Sequence, residues 1–289
     1  MTMRTLGISA GLGFAIALAA VYASATDTRK EAHMDIAPGG AITIVNNSGA
    51  VNLKSGGGNQ VVLVYTIHSD KVEVDQTSTP DKRRIEFITH ALPDQKPTTE
   101  ESRVDYEVTV PAGVSVTVST STAPIAADSL RGDLTLSSDT GQVTVRNLVK
   151  SQLRIRGVNA PVNLSDVTGG TVEITANGGP IQMVNVTGRK VNVGTSSGNI
   201  SYKGDCSSGG DYSFTSHTGS IDMALPEAAS VDLTARSVNG TVENDFPLQK
   251  KSHTSFVPKA GSSFAGTSNS GSSSVELQSF SGRIRVKKQ

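Results

Sequence analysis

Between Val116 and Asn244 the chain repeats one pattern with a period near twenty residues, and this periodicity restricts the possible folds more than any other feature. Each unit is a short alternating strand, a turn of Ser, Thr, Asn or Ala with Gly or Pro, a second alternating strand and a polar corner. The turn markers are Pro124, Gly141, Pro161, Pro180, Gly198, Gly219 and Gly240, spaced 17 to 21 residues apart. Val275 to Val286 repeats the shape around Gly282, two periods of 21 beyond Gly240, and Ala41 to Leu53 repeats it around Gly49.

Alternation with period two assigns the faces. The first strand of successive units turns Leu134/Leu136, Leu153/Ile155, Val172/Ile174, Val191/Val193, Tyr212/Phe214 and Val231/Leu233 inward. The second turns in Val143/Val145, Val162/Leu164, Ile181/Met183, Ile200/Tyr202 and Ile221/Met223. Three residues further on, Leu148, Val167 and Val186 suggest a third wall, and Cys206 takes the same place after a one-residue insertion. The single cysteine rules out an internal disulfide, and its register predicts a small buried hydrophobe rather than a reactive thiol.

Each unit offers about five aliphatic side chains worth roughly 1.5–3 kcal/mol apiece when buried, too little to order twenty residues alone. Neighbouring units must therefore share a core. The predicted fold is an all-β parallel solenoid of ~20-residue rungs. A β-sandwich is the alternative, but its hairpins vary more in length than these units do.

The chain divides into residues 1–25, a signal segment; 26–110, an N-terminal β region; 111–246, the regular repeats; 247–274, a Ser/Gly-rich mobile excursion; and 275–289, a final rung. Arg4, an uncharged apolar run from Leu6 to Ala20 and the small residues Ala23 and Ala25 read as a secretory signal cleaved near Thr26, leaving no stable membrane span. Export to the periplasm or cell surface follows. Within the N-terminal region, Val61 to Val110 breaks the repeat and reads as a meander or enlarged rungs capping the stack. At the other end, Arg283, Arg285 and Lys287 alternate, which suits charge protecting an edge strand, or a small anionic contact.

The opening GGAITIVNNSGAVNL, the strand VDYEVTVPAGVSVTVSTS, the serial SG/TG/NG-I units and the closing VELQSFSGRIRV together resemble the bacterial putative-adhesin family of β-strand-repeat proteins, whose function is unknown. The resemblance covers most of residues 34–289. It implies a single-stranded right-handed β-helix at the envelope or surface, and it brings no set of functional residues.

Chemistry is sparse. Lys+Arg 26 balances Asp+Glu 26, so no bulk field draws the chain to nucleic acid. The outward row of the first strand runs Thr135, Arg154, Glu173, Asn192, Ser213, Asp232; that of the second runs Thr144, Asn163, Gln182, Ser201, Asp222, Glu243. Asp222/Glu243 is the one adjacent acidic pair, and Arg154/Glu173 an ordinary cross-strand ion pair. His33, His68, His90, His217 and His253 lack metal-ligand spacing, and Lys54 to Gln60 lacks the Lys-Ser/Thr of a phosphate loop. No residue is assigned a catalytic, cofactor-binding or metal-binding role, and no cofactor is expected. With no Trp and 4% aromatics, no stacking platform for sugars is evident.

These features favour an exported non-enzymatic envelope scaffold whose partner is an envelope protein or glycan. A carbohydrate-active β-helix enzyme is one alternative. Another is an accessory of an envelope-stress or signalling system.

Overall fold

The computed structural model describes residues 27–206, 209–251 and 257–289; the expected signal segment and its cleavage point lie outside them. The described residues are all β, with 23 strands in one continuous sheet. The N-terminal end contains β1 (Thr28–Asp35), β2 (Ala41–Asn46), β3 (Val51–Gly56), β4 (Gln60–Ile67), β5 (Val72–Ser78), β6 (Arg84–Ala91) and β7 (Val104–Pro111). The body contains β8 (Ser115–Thr120), β9 (Ile125–Asp128), β10 (Leu134–Ser138), β11 (Val143–Arg146), β12 (Gln152–Gly157), β13 (Val162–Ala176), β14 (Ile181–Thr195), β15 (Ile200–Lys203), β16 (Asp211–Ser216) and β17 (Ile221–Leu225). The C-terminal end contains β18 (Val231–Ser237), β19 (Val242–Asn244), β20 (Gln249–Lys250), β21 (Ser263–Ser268), β22 (Ser273–Ser279) and β23 (Ile284–Lys288).

The body is the expected parallel solenoid. First strands stack residue for residue through β8, β10, β12 and the second halves of β13 and β14 to β16. Second strands stack likewise through β9, β11, the first halves of β13 and β14, β15 and β17. Every inward side chain named from the alternation is buried, and so are Leu148, Val167, Val186 and Cys206 along the third wall. At four successive corners one residue takes the left-handed conformation: Ser129, Asn147, Asp166 and Asn185 have φ of 53–57°. Asn and Asp tolerate that region because their short side chains find local partners, and here they pair between rungs. Asn147 Nδ2 donates to Asp128 Oδ1 and Asn185 Nδ2 to Asp166 Oδ1, each at 3.0 Å.

Both ends depart from sequence order. At the N-terminal end β2–β3 lies between β8–β9 on one side and the later β6–β7 on the other, all parallel. Antiparallel strands then close the stack, β5 on β6, β4 on β7 and β1 on β4. At the C-terminal end β22–β23 inserts between β16–β17 and β18–β19, pairing in parallel with both. Antiparallel β21 covers β18, and β20 covers β21. Part of the stretch that composition marks as a mobile excursion thus supplies capping strands. At both ends a parallel rung, which would otherwise template another chain, is covered by antiparallel strands.

The insertion changes two expected neighbourhoods. Ser213 is followed by Glu276 and then Thr234, while Asp232 pairs with Ser274. Asp222 and Glu243 each lie opposite Arg285, so the expected acidic pair does not form. Nor is β23 an edge strand needing charge protection. Arg283, just before β23, and two of the strand's cations meet the chain's own carboxylates: Arg283 faces Asp222 at 3.6 Å, Arg285 faces Asp245 at 3.2 Å and Glu243 at 3.8 Å, and Lys288 faces Glu227 at 2.6 Å.

Candidate functional site

The turns between first and second strands form a ledge along the stack. A buried Ser or Thr ends most first strands and hooks the turn three residues on. Ser138 Oγ donates to the Gly141 carbonyl at 2.9 Å, and Thr195 and Ser279 hydroxyls accept from the N–H groups of Gly198 (3.0 Å) and Gly282 (2.8 Å). This is the physical basis of the recurring Ser/Thr-x-x-Gly signature. The two residues inside the motif project outward, and the first of them builds one row across the rungs. Over the body that row is polar apart from Val158, with Asp139, Asn177 and Ser196.

At the inserted rung the row changes character to His217, Phe280 and Val238. The Phe280 N–H bonds the Ser216 carbonyl at 3.2 Å, and the Val238 N–H bonds the Ser279 carbonyl at 3.1 Å. The rings of His217 and Phe280 stack with centroids 4.8 Å apart and an interplanar angle of 11°. Phe280 remains 45% and Val238 54% exposed. Together with Thr195, Ser196, Thr215 and Gln278 they line an open groove of about 320 Å³. Residue counts alone put a stacking platform out of reach, because Phe280 is assigned by period arithmetic to a rung remote from His217. The findable signal is the shared signature: Ser216-His217-Thr218-Gly219, Ser237-Val238-Asn239-Gly240 and Ser279-Phe280-Ser281-Gly282 are interchangeable turns.

Other expected chemistry resolves as structure. Arg154 Nε donates to Glu173 Oε2 at 3.0 Å on an exposed face, a pair worth under about 1 kcal/mol. Cys206 is fully buried, and burial pushes its thiol pKa up to about 12, so it is not a thiolate nucleophile. It donates to the Tyr202 hydroxyl, which in turn donates to the Val186 carbonyl at 2.8 Å.

Two histidines gather partners that lie far away in sequence. His90 Nε2 lies 2.9 Å from Glu73 Oε1 and its Nδ1 lies 3.5 Å from Asp75 Oδ2, across the β5–β6 hairpin. These three residues offer donor atoms within 4.8 Å of one another. Both imidazole nitrogens already face a carboxylate, and the trio is an exposed polar cluster across the hairpin. His253 lies outside the described residues.

His68 follows β4. Its Nδ1 lies 2.8 Å from Asp27 and its Nε2 2.8 Å from Asp105, an arrangement in which only the imidazolium donates from both nitrogens. Burial opposes protonation, but the bonds to Asp105 and Asp27 outweigh it and raise the pKa above the ordinary 6.5. Asp105 is held below its usual 3.8 despite burial, by the Ala50 N–H, His68 and Arg103. His68 therefore adds stability that is full below pH 6.5 and lost as pH rises through its raised folded value. Asp105 adds stability present above 3.8 and lost as pH falls through its lowered one. Thermal midpoints measured from about pH 5.5 to 9 are expected to decline for the native chain and to flatten in His68→Gln. An unchanged slope in that variant would remove His68 from the account.

Compared with known proteins, the chain matches no curated protein. Two of the solved structures that align with it cover nearly all of the chain. One is a "putative cell adhesion protein" from Clostridium sporogenes, 10% identical, covering 91% of this chain and 100% of that one at a TM-score of 0.37. The other is a "putative adhesin" from Bacteroides fragilis, 12% identical, covering 91% and 98% at a TM-score of 0.35. No helix among the described residues is long and apolar enough to cross a membrane. The family model described as Toastrack DUF4097 matches residues 40–287, and the chain belongs to that family.

Proposed function

We propose that the chain is an exported, non-enzymatic binding scaffold of the cell envelope, with the His217–Phe280–Val238 ledge as its contact surface. The observation carrying this reading is the change in the turn row from polar side chains to two stacked rings and an exposed valine. Exposed apolar side chains scattered singly need no explanation, whereas Phe280 and Val238 on adjacent rungs, with the His217 ring stacked on Phe280 beside a groove, mark a contact. The rest of the stack acts as a rigid support that holds the three turns in register.

An enzymatic reading loses its one acidic pair, because Arg285 stands between Asp222 and Glu243. Opposite charges at those distances neutralise the face that a pair of working carboxylates needs.

The test is retention of the full mature chain on immobilised envelope fractions. Native protein is expected to be retained and Phe280→Ala to be released, with both showing the same thermal midpoint. Equal retention of the two would move the contact surface elsewhere, and no retention of either would sink the scaffold reading.

A further inference from the structure

We infer that the groove beside Phe280 is a subsite for a neutral saccharide, an assignment that rests on the ledge being the contact surface. The lining chemistry selects the ligand. Ser196, Thr215 and Gln278 supply hydroxyl and amide groups that both donate and accept. His217 and Phe280 supply ring surface, and no Lys, Arg, Asp or Glu lines the groove.

Each absence among these lining residues narrows the choice. Without Arg or Lys the groove offers no permanent cation to a phosphate, sulfate or uronate. Without carboxylates it offers nothing to a hard cation or a basic peptide. Two apolar residues, Val238 and Phe280, are too few for the row of anchors that an amphipathic helix presents at i, i+3, i+4 and i+7. A neutral sugar fits what is present. One face of a pyranose is made of C–H groups that pack on an aromatic ring, while its rim of hydroxyls pairs with hydroxyl and amide side chains.

The stack also gives the subsite a direction. Beyond His217 the same turn row continues through Ser196 and Asn177, one rung at a time, with a strand spacing of about 4.8 Å. An oligosaccharide anchored at Phe280 therefore meets further hydrogen-bonding groups along the ledge rather than open solvent.

The chain contains no Trp, so Phe280→Trp places a single indole reporter at the site. The full mature protein, as native, Phe280→Ala and Phe280→Trp forms, is applied to an array of neutral and anionic oligosaccharides. Any neutral hit is then titrated in solution. Native protein is expected to retain neutral oligosaccharides, and Phe280→Ala to weaken that binding about tenfold at an unchanged thermal midpoint. Phe280→Trp is expected to keep the binding and to change its fluorescence at saturation.

A blank array, binding of anionic members alone, or equal binding by Phe280→Ala overturns the assignment. Suppose the array is blank while Phe280-dependent retention on envelope fractions is abolished by prior protease digestion of those fractions. The ligand is then a protein, so the saccharide assignment fails while the ledge stands as the contact surface. If that retention is also absent, both fail together.

Discussion

Truncating the chain before Ser273 is expected to unfold the C-terminal end of the solenoid while leaving its body folded. The deletion removes Val275, Leu277, Ile284 and Val286, all essentially fully buried. At roughly 1.5–3 kcal/mol each their burial amounts to about 6–12 kcal/mol, comparable with the whole stability of an ordinary domain. Backbone partners disappear from four strands at once: β16 and β17 on one side, β18 and β19 on the other. Asp222, Glu227, Glu243 and Asp245 lose their cations as well.

In a stack each rung touches only its neighbours, so the damage stays local. Hydrogen exchange should show β18–β19 unprotected, β16–β17 weakened and β8 to β12 unchanged. The competing outcome is that β18–β19 docks directly onto β16–β17, as the 21-residue spacing from Gly219 to Gly240 permits. That arrangement places Asp222 against Glu243, a like-charge cross-strand contact that destabilises by up to about 1 kcal/mol. Protection of β18–β19 at its full-length level would show that the inserted rung is dispensable.

The same spacing explains what the sequence conceals. Inward rows, the third wall and the burial of Cys206 follow from alternation within a few residues, and that signal is local. Rung order is not local. Gly240 and Gly282 both keep the period, so counting residues favours a stack in chain order. Only the complement between Arg283, Arg285 and Lys288 on one segment and Asp222, Glu243, Asp245 and Glu227 on the others points to the insertion. The N-terminal inversion, with Ile85 and Phe87 stacked outside Ile42 and Ile44, carries no such charge signal. The candidate site inherits this ambiguity, because His217 and Phe280 become neighbours only through the inserted rung. His68 and His90 are hidden for a related reason: their carboxylate partners arrive from strands that pair antiparallel in the cap.

Glycines on the ledge and in the strands are expected to respond oppositely to alanine. Gly219 packs its α-carbon face against the Gly198 carbonyl, and Gly282 packs in the same way against Gly219. A Cβ at either position falls well inside the contact radius of that oxygen. The obstacle is backbone of an adjacent rung, which cannot rotate aside like a side chain. Rungs held at hydrogen-bonding distance have no slack to give, so Gly219→Ala forces a local separation of the ledge. Overpacking of this kind costs about 3 kcal/mol or more where rigid backbone is the neighbour, a fall in thermal midpoint of roughly 6–12 °C for a chain of this size.

Gly194 in β14 is the control. An added Cβ there meets nothing within 4 Å, and its φ is not in the left-handed region. Gly194→Ala should therefore leave stability unchanged or raise it by about 0.4–1 kcal/mol, because alanine restricts the unfolded chain. Because Gly219 and Gly282 flank the stacked rings, the ledge substitutions should also disturb the groove, which Gly194→Ala should not. Melting curves of the three single variants read the difference directly. A neutral Gly219→Ala, or a Gly194→Ala as damaging as Gly282→Ala, would mean that close approach of the turns does not set the rung spacing.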